Sequence, residues 1–440
     1  MRQALHDPAF QARHRRDPRA FCRRRQLTFA RVLLLLLQKG AQGLAGRLAS
    51  FFGQLAAAGE AAQPVTVSAW CQARAKLLHS ALIELNDQAV LGSFYAPANA
   101  AQVQRWGGYR LSAIDGSVGQ LPTSAALGAH FGWVQPSNQS GPCGARQVQA
   151  RLSVCYDVLN GLVLDGRLAR ADCAEHRVGA LHLEALGPGD LVITDRGYCN
   201  LEWFWRVRQV GADFVCRVPR RWHARADELF ARDEAGASLP LELGANGRQR
   251  RAWAQAGLGV APGARLRLRL VSVRLATGEL EVLATSLRDR RAHPAPAFGE
   301  VYGWRWGVEG FYGGLKGWLE LENFSGQSLE AVRQDFYAGL LVSNVAAVLS
   351  APAQAALRAG DAGRRQPARV NRAQSFGAVK RQAWELFYSE APAEEVLAQL
   401  TQLLLRTPVA QRRGRAAPRR RAPSASRSLR HARYKKKHAF

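Results

Sequence analysis

The sequence predicts an α/β fold: a mixed sheet with a β-rich insertion and helical regions at both ends. Three observations carry this reading. Two short apolar runs, YRLSAI and LVIT, lead straight into Asp115 and Asp195, with glycine close behind, as strands that end by delivering an acid to a sheet rim do. After the second aspartate, an amphipathic stretch and the run DFVCRV complete a strand–helix–strand unit. The third observation is YGWRWGVEGFYGGLK, Tyr302 to Lys316. At about 100° per residue it places Tyr302, Arg305, Glu309 and Lys316 within an arc of roughly 60°. Val301, Trp304, Val308, Phe311, Leu315 and Leu319 form an apolar stripe beside them, and six glycines take the remaining side.

Each element can be justified in turn. Residues 1–26 are arginine-rich and irregular, a disordered arm or a solvated lead-in. Phe29, Val32, Leu33, Leu36 and Leu37 have the spacing of a buried helix face, and Gly40, Gly43, Gly46 and Gly53 divide the next stretch into short helices. Past Pro64, Ser68 suits an N-cap; Trp70, Leu77, Leu78, Leu82 and Leu85 face inward, leaving Gln72 and Arg74 for an exposed face able to read nucleic acid or for a solvated one. Strands at about 151–158 and 162–169 flank Leu159-Asn160-Gly161, an Asn-Gly hairpin signal. A helical stretch, 172–187, carries Glu175 and His176, read as structural. The continuous apolar run 191–194 suits a strand covered on both faces. From 223 to about 290 short alternating runs predict the insertion, with Arg265, Arg267 and Arg269 on one basic strand face. Helix resumes after Lys316, residues 351–373 read as a loop with short helical pieces, and 374–407 return to helix.

These elements divide the chain into a helical, nucleic-acid-facing module with a basic arm (1–100), a first catalytic part (101–222), the insertion (223–290) and the end of the catalytic part (291–350). A helical region (351–410) and a disordered basic tail (411–440) complete it; the last 30 residues hold 12 Arg or Lys and no acid. The net charge of +27 calls for a polyanionic partner. Seven scattered cysteines without a C-x-x-C pair support neither a disulfide framework nor a zinc site. The apolar run Val32–Leu37 is far short of the roughly 20 residues that span a bilayer, so the expectation is a cytoplasmic protein with no membrane partner.

Three carboxylates on separate elements, Asp115, Asp195 and Glu309, beside basic residues suit two-metal phosphoryl chemistry, in which two Mg²⁺ ions, or Mn²⁺ in their place, are held by a few carboxylates. Asp115 is best placed to bridge both ions, with Asp195 and Glu309 each completing one. Ser117 reads as a turn hydroxyl, since no His/Asp partner pattern accompanies it. No aromatic stands out as the acceptor of a flipped base; Trp222 and Trp253 read as core.

These residues resemble a known family: bacterial insertion-sequence transposases of the DDE type, in the Tyr-x2-Arg-x3-Glu-x6-Lys branch (the insertion-sequence-four type). Tyr302, Arg305, Glu309 and Lys316 match that spacing, and IDGS at Asp115 and TDRGY at Asp195 are similar to its other acidic motifs. The resemblance spans roughly residues 65–380 and implies a ribonuclease H-like fold. It also implies a Mg²⁺-dependent DNA transposase acting at terminal inverted repeats, with double-stranded DNA as transposon ends and target and a homodimer in the synaptic complex. Tyr302, Arg305 and Lys316 would then hold DNA phosphates. The competing expectations are a ribonuclease H-like nuclease without strand transfer and an inactive, domesticated DNA-binding protein. The six glycines, at ~1 kcal/mol each of lost helix propensity, predict a close neighbour on their side or a bend at Gly313-Gly314.

Overall fold

The computed structural model describes residues 1–410 apart from 24, 41–42, 139–140, 143, 362–365 and 391. The tail expected at 411–440 lies outside the described residues.

One sheet of nine strands organises the described residues. They are β1 (Arg110–Gln120), β2 (Trp133–Val134), β3 (Gln147–Asp157), β4 (Leu162–Arg170), β5 (Asp190–Thr194), β6 (Asp213–Val218), β7 (Ser238–Gly244), β8 (Arg265–Arg274) and β9 (Leu280–Thr285). The order across the sheet is β4-β3-β1-β5-β6-β9-β8-β7, with β2 on the first residues of β3. The hairpins β1/β3 and β3/β4 are antiparallel, and β5 and β6 run parallel to β1. That order and direction make the first five long strands a ribonuclease H-like sheet. Parallel pairing requires crossovers. The helix Glu175–Ala180 leads from β4 to β5, and the helix Leu201–Gln209 leads from β5 to β6.

The period of two sorts the strands onto two covered faces. Leu111, Leu191, Ile193, Val215, Val271 and Leu283 pack beneath Phe298, Val301 and Tyr302. Ile114, Val192, Phe214, Cys216, Val282 and Ala284 pack against Trp203, Phe204 and Val207. Every residue of β5 is buried, the physical basis of its uninterrupted apolar run. The insertion is no separate module. It contributes two helices, Ala224–Arg232 and Gly247–Gln255, and three strands that lengthen the same sheet, β9 pairing directly with β6.

A helical layer supports the β4 side. All nine residues of Phe29–Leu37 are buried, and this helix packs against the long helix Leu329–Ala359. The long helix is apolar and long enough to cross a membrane by length and composition, yet half of its most apolar window is buried inside the fold. Its polar residues have internal partners: Asp335 and Gln334 accept from Arg74 at 2.7 Å each, and Asn344 donates to Val163 O at 2.7 Å.

Several expectations need correcting. Arg74 is buried, not on an exposed reading face, because its helix ends there (Val67–Arg74) and turns the guanidinium inward onto Asp335. The first half of the expected lead-in is folded: the helices Arg2–His6 and Pro8–Arg13 bury Leu5 and Phe10 in the core. The expected loop from 351 remains helical to Ala359, through Pro352, since Ala353 and Leu357 are buried against Leu400 and Leu404. β1 does not stop at Asp115 but runs on to Gln120, with β3 as its strand partner there. Its pairing with β5 ends at Ala113–Ile193, so Asp115 still stands at the rim of the parallel part of the sheet.

Candidate active site

The sequence-predicted acids converge because three elements end or pass at one place. By strand parity Asp115 and Asp195 fall on the face that carries Leu111 and Ile193, below the helical path bearing Glu309. That path comprises Ala297–Trp304 and Trp306–Gly317, joined at Arg305, whose backbone keeps helical angles (φ −51°, ψ −35°). Val308, Phe311 and Leu315 are buried and fix which side of the helix looks at the sheet.

Asp195 immediately follows β5 and accepts the Arg196 amide as the N-cap of a short 3₁₀ turn. Glu309 is the most exposed of the three acids; its Oε1 accepts from Arg305 Nη2 at 2.9 Å, an i,i+4 pair. Arg305 is 2% exposed, and its charge interacts with Asp115 and Asp195 as well as Glu309. Its guanidinium lies 4.8 Å from the Trp306 ring centroid and 5.6 Å from that of Tyr302. The Arg305 Nε and the Tyr302 hydroxyl are buried without a hydrogen-bond partner. Buried polar groups left unpaired are uncommon, and these two stand beside the acids.

Asp115 Oδ1 accepts the Gly116 amide at 2.9 Å, and Glu175 Oε1 accepts the same amide at 2.8 Å. Burial, reinforced by the neighbouring Glu175 carboxylate, pushes the Asp115 carboxyl up to about 7; Arg305 opposes this and Glu309 adds to it. A Cβ at Gly116 would lie 2.8 Å from Glu175 Oε1 and would push the end of that side chain aside.

Lys316 lies two turns beyond Glu309, half-buried, with its ammonium donating to Ser117 Oγ at 2.8 Å and Val118 O at 2.7 Å. Thus Asp115, Asp195, Glu309, Arg305 and Tyr302 are gathered, while Lys316 grips β1 beyond them. Two neighbours escape a reading of the sequence, Tyr312 and Glu175. Tyr312 donates its hydroxyl to Asp115 O at 2.8 Å, and Glu175, read from the sequence as structural, accepts the Gly116 amide beside Asp115. Tyr312 has a signal: it sits one turn after Val308 and before Leu315, on the inward side. Glu175 has none, because only the turn after β4 brings it beside Asp115.

Among the described residues no three His, Cys, Asp or Glu side chains stand at metal-ligating spacing. The donor set nevertheless fits a hard divalent cation: oxygen ligands only, one of them an acid that burial and like charge push up to about 7. The helix path continues through Gly313 and Gly314 without the expected bend. Gly303, Gly310, Gly313 and Gly317 have no protein atom within 4 Å of where a Cβ would stand.

The family described as "Transposase DDE domain" matches residues 106–345, more than half of the chain. The chain belongs to the transposase DDE domain family. The family's range takes in Asp115, Glu175, Asp195 and Glu309. The transposase InsG for insertion sequence element IS4 of Escherichia coli strain K12 is 24% identical over 249 residues, 56% of this chain. The match spans only 53% of that relative's length. A solved piggyBac transposase synaptic complex with hairpin DNA aligns with 85% of this chain and 74% of its own at 10% identity and a TM-score of 0.38, a level that argues nothing about this chain.

Proposed function

We propose that this DDE transposase-family protein cuts and joins DNA at the terminal inverted repeats of its own insertion sequence. The observation that carries the reading is the convergence of Asp115, Asp195 and Glu309, from three separate elements, around the buried Arg305. Asp115, Asp195 and Glu309 would hold two divalent ions, Mg²⁺ or Mn²⁺. Bound there, such ions supply activation of a water or 3′-hydroxyl and stabilisation of the leaving oxygen.

The chain's own residues do the positioning. Arg305 Nε and the Tyr302 hydroxyl, buried and unpaired, are donors for a phosphate oxygen next to the acids. Tyr312 holds the backbone of β1 at Asp115 itself, and Lys316 holds it three residues on, at Val118. Lys316, which the resemblance assigns to DNA, fits this positioning role better, because its ammonium is already engaged by Ser117 and Val118. Joining two transposon ends calls for two copies in the synaptic complex.

The test incubates the full chain with duplexes carrying the element's ends, with Mg²⁺, and resolves nicked, cleaved and joined products. Cleaved and strand-transferred products are expected, and Asp115→Asn, Asp195→Asn or Glu309→Gln should each remove them by at least about 10³-fold. Cleavage that survives Asp115→Asn rejects the assignment. Cleavage without joining makes the protein a nuclease, and binding without cleavage makes it a DNA-binding protein.

A further inference from the structure

A second cationic site lies in the insertion, away from the acids. A groove of about 610 Å³ opens between β7, β8 and the loop after β9. Arg225, Arg267, Arg269, Arg288 and Arg290 line it against Glu242, the one acid among its described lining residues. Glu242 is already engaged by Arg267 at 3.3 Å. Asp289, beside the groove, has its carboxylate turned to its own backbone, accepting the Arg291 amide at 2.8 Å and the Ala292 amide at 3.2 Å. Glu242 and Asp289 offset part of the charge of the five arginines and leave the groove positive.

Arg269 makes this more than a solvated face. It is 3% exposed, with Nη1 donating to His293 O at 2.6 Å and the guanidinium 5.4 Å from the Phe298 ring centroid. Its Nε is buried with no hydrogen-bond partner. Burying a guanidinium among other arginines is costly: burial and Arg290 pull its pKa below the ordinary value, with Asp289 opposing them. An anion in the groove would relieve both the crowded charge and the unpaired donor.

We infer that the groove binds the sugar-phosphate backbone of duplex DNA, outside the catalytic centre and without regard to sequence. The one aromatic ring among the described lining residues is His223, whose Nδ1 accepts the Arg225 amide at 3.1 Å as a helix cap, and the five arginines around it are suited to phosphates. Two rulers place it within reach of the same duplex. Ile193 is in register with Val215, Val215 with Thr285, and Thr285 with Arg269: three strand spacings, or about 14 Å. Along the intervening helix, Phe298 and Arg305 are seven residues apart, or about 10 Å. Either span is about three to four base-pair steps at 3.4 Å per charge along one strand.

The inference rests on the reading of the chain as a DNA-acting enzyme, and the experiment separates the two. Binding of the full chain to a duplex of arbitrary sequence is measured by fluorescence anisotropy over a series of salt concentrations. Arg288→Ala with Arg290→Ala should weaken binding and lower the slope of log K against log salt by about 1.8, at about 0.9 per lost phosphate contact. Charge reversal of the same pair, Arg288→Glu with Arg290→Glu, should weaken binding further. Arg248→Ala with Arg251→Ala removes the same charge from an exposed helix of the insertion outside the groove and should leave the slope unchanged. An unchanged slope in the groove variants, or an equal fall in the control, overturns the inference, and so does stabilisation by inorganic phosphate with no effect on DNA. Failure of the unaltered protein to bind duplex at all overturns the transposase reading instead.

Discussion

The hydroxyl of Tyr312 donates to the carbonyl oxygen of Asp115 at 2.8 Å, so the helix that carries one acid holds the backbone of another. The same hydroxyl lies 3.1 Å from Leu152 O on β3. Tyr312→Phe removes this tie but keeps the ring beside Phe311. A lost buried hydrogen bond of about 1–2 kcal/mol predicts a fall in the cleavage rate of about tenfold with DNA affinity unchanged. Single-turnover cleavage and anisotropy measured side by side check it; an unchanged rate removes Tyr312 from the positioning machinery.

Asp115 gives a pH prediction for protein free of divalent ions. Its carboxyl is raised from 3.8 to about 7, first by burial and then by Glu175. Between about pH 4 and pH 7 the folded chain keeps a proton that the unfolded chain releases. The stability linked to this group is therefore complete below pH 4 and is lost as pH rises through 7. Asp115→Asn has no such loss, so it should melt higher than the unaltered protein at pH 8 and level with it near pH 4. The gap is bounded at about 4 kcal/mol. Mg²⁺ at pH 8 should raise the melting temperature of the unaltered protein and leave the variant where it was. Equal melting of the two at pH 8 without cations contradicts this.

Lys316 separates a positioning role from direct DNA contact. Lys316→Met cuts the links to Ser117 Oγ and Val118 O and should reduce cleavage by about tenfold or more. The salt slope of DNA binding should stay the same, whereas a lost phosphate contact would lower it by about 0.9.

The Arg74–Asp335 pair, 2.7 Å apart and buried on both sides, ties the N-terminal helices to the long helix. Burial pushes the Asp335 carboxyl up, but Lys39, Arg74 and the Ser325 amide together hold it below its ordinary value. Arg74→Met should cost about 3–5 kcal/mol by leaving that charge poorly compensated. Adding Asp335→Asn should recover a good part of the loss, as thermal melts of the single and double variants would reveal. Additive losses would mean the two residues act separately.

The features legible in the sequence are those that depend on local pattern. The run LVIT, the Asn160-Gly161 turn and the spacing from Tyr302 to Glu309 each specify a backbone without help from distant residues. Arg74 misleads because a cation's burial depends on a partner 261 residues away. Asp115 reads as the end of a strand because its neighbour β5 stops there, and a single strand's pattern does not reveal which partner continues. Glu175 comes beside Asp115 only through a turn that no periodicity encodes. The glycine side of the Glu309 helix is conspicuous from composition, and no protein neighbour meets four of its glycines in the fold.

The continuity of the sheet into the insertion has a consequence for dissection of this protein. β9 covers one side of β6 with Val282–Thr285 paired to Val215–Val218. Excising residues 223–290 would leave β6 as a bare edge, its amides and carbonyls free to recruit another chain. A minimal catalytic fragment made this way should therefore be lost to edge-to-edge aggregation. A soluble trimmed form needs a new edge guard, such as a lysine or proline on β6, before it can be asked about chemistry.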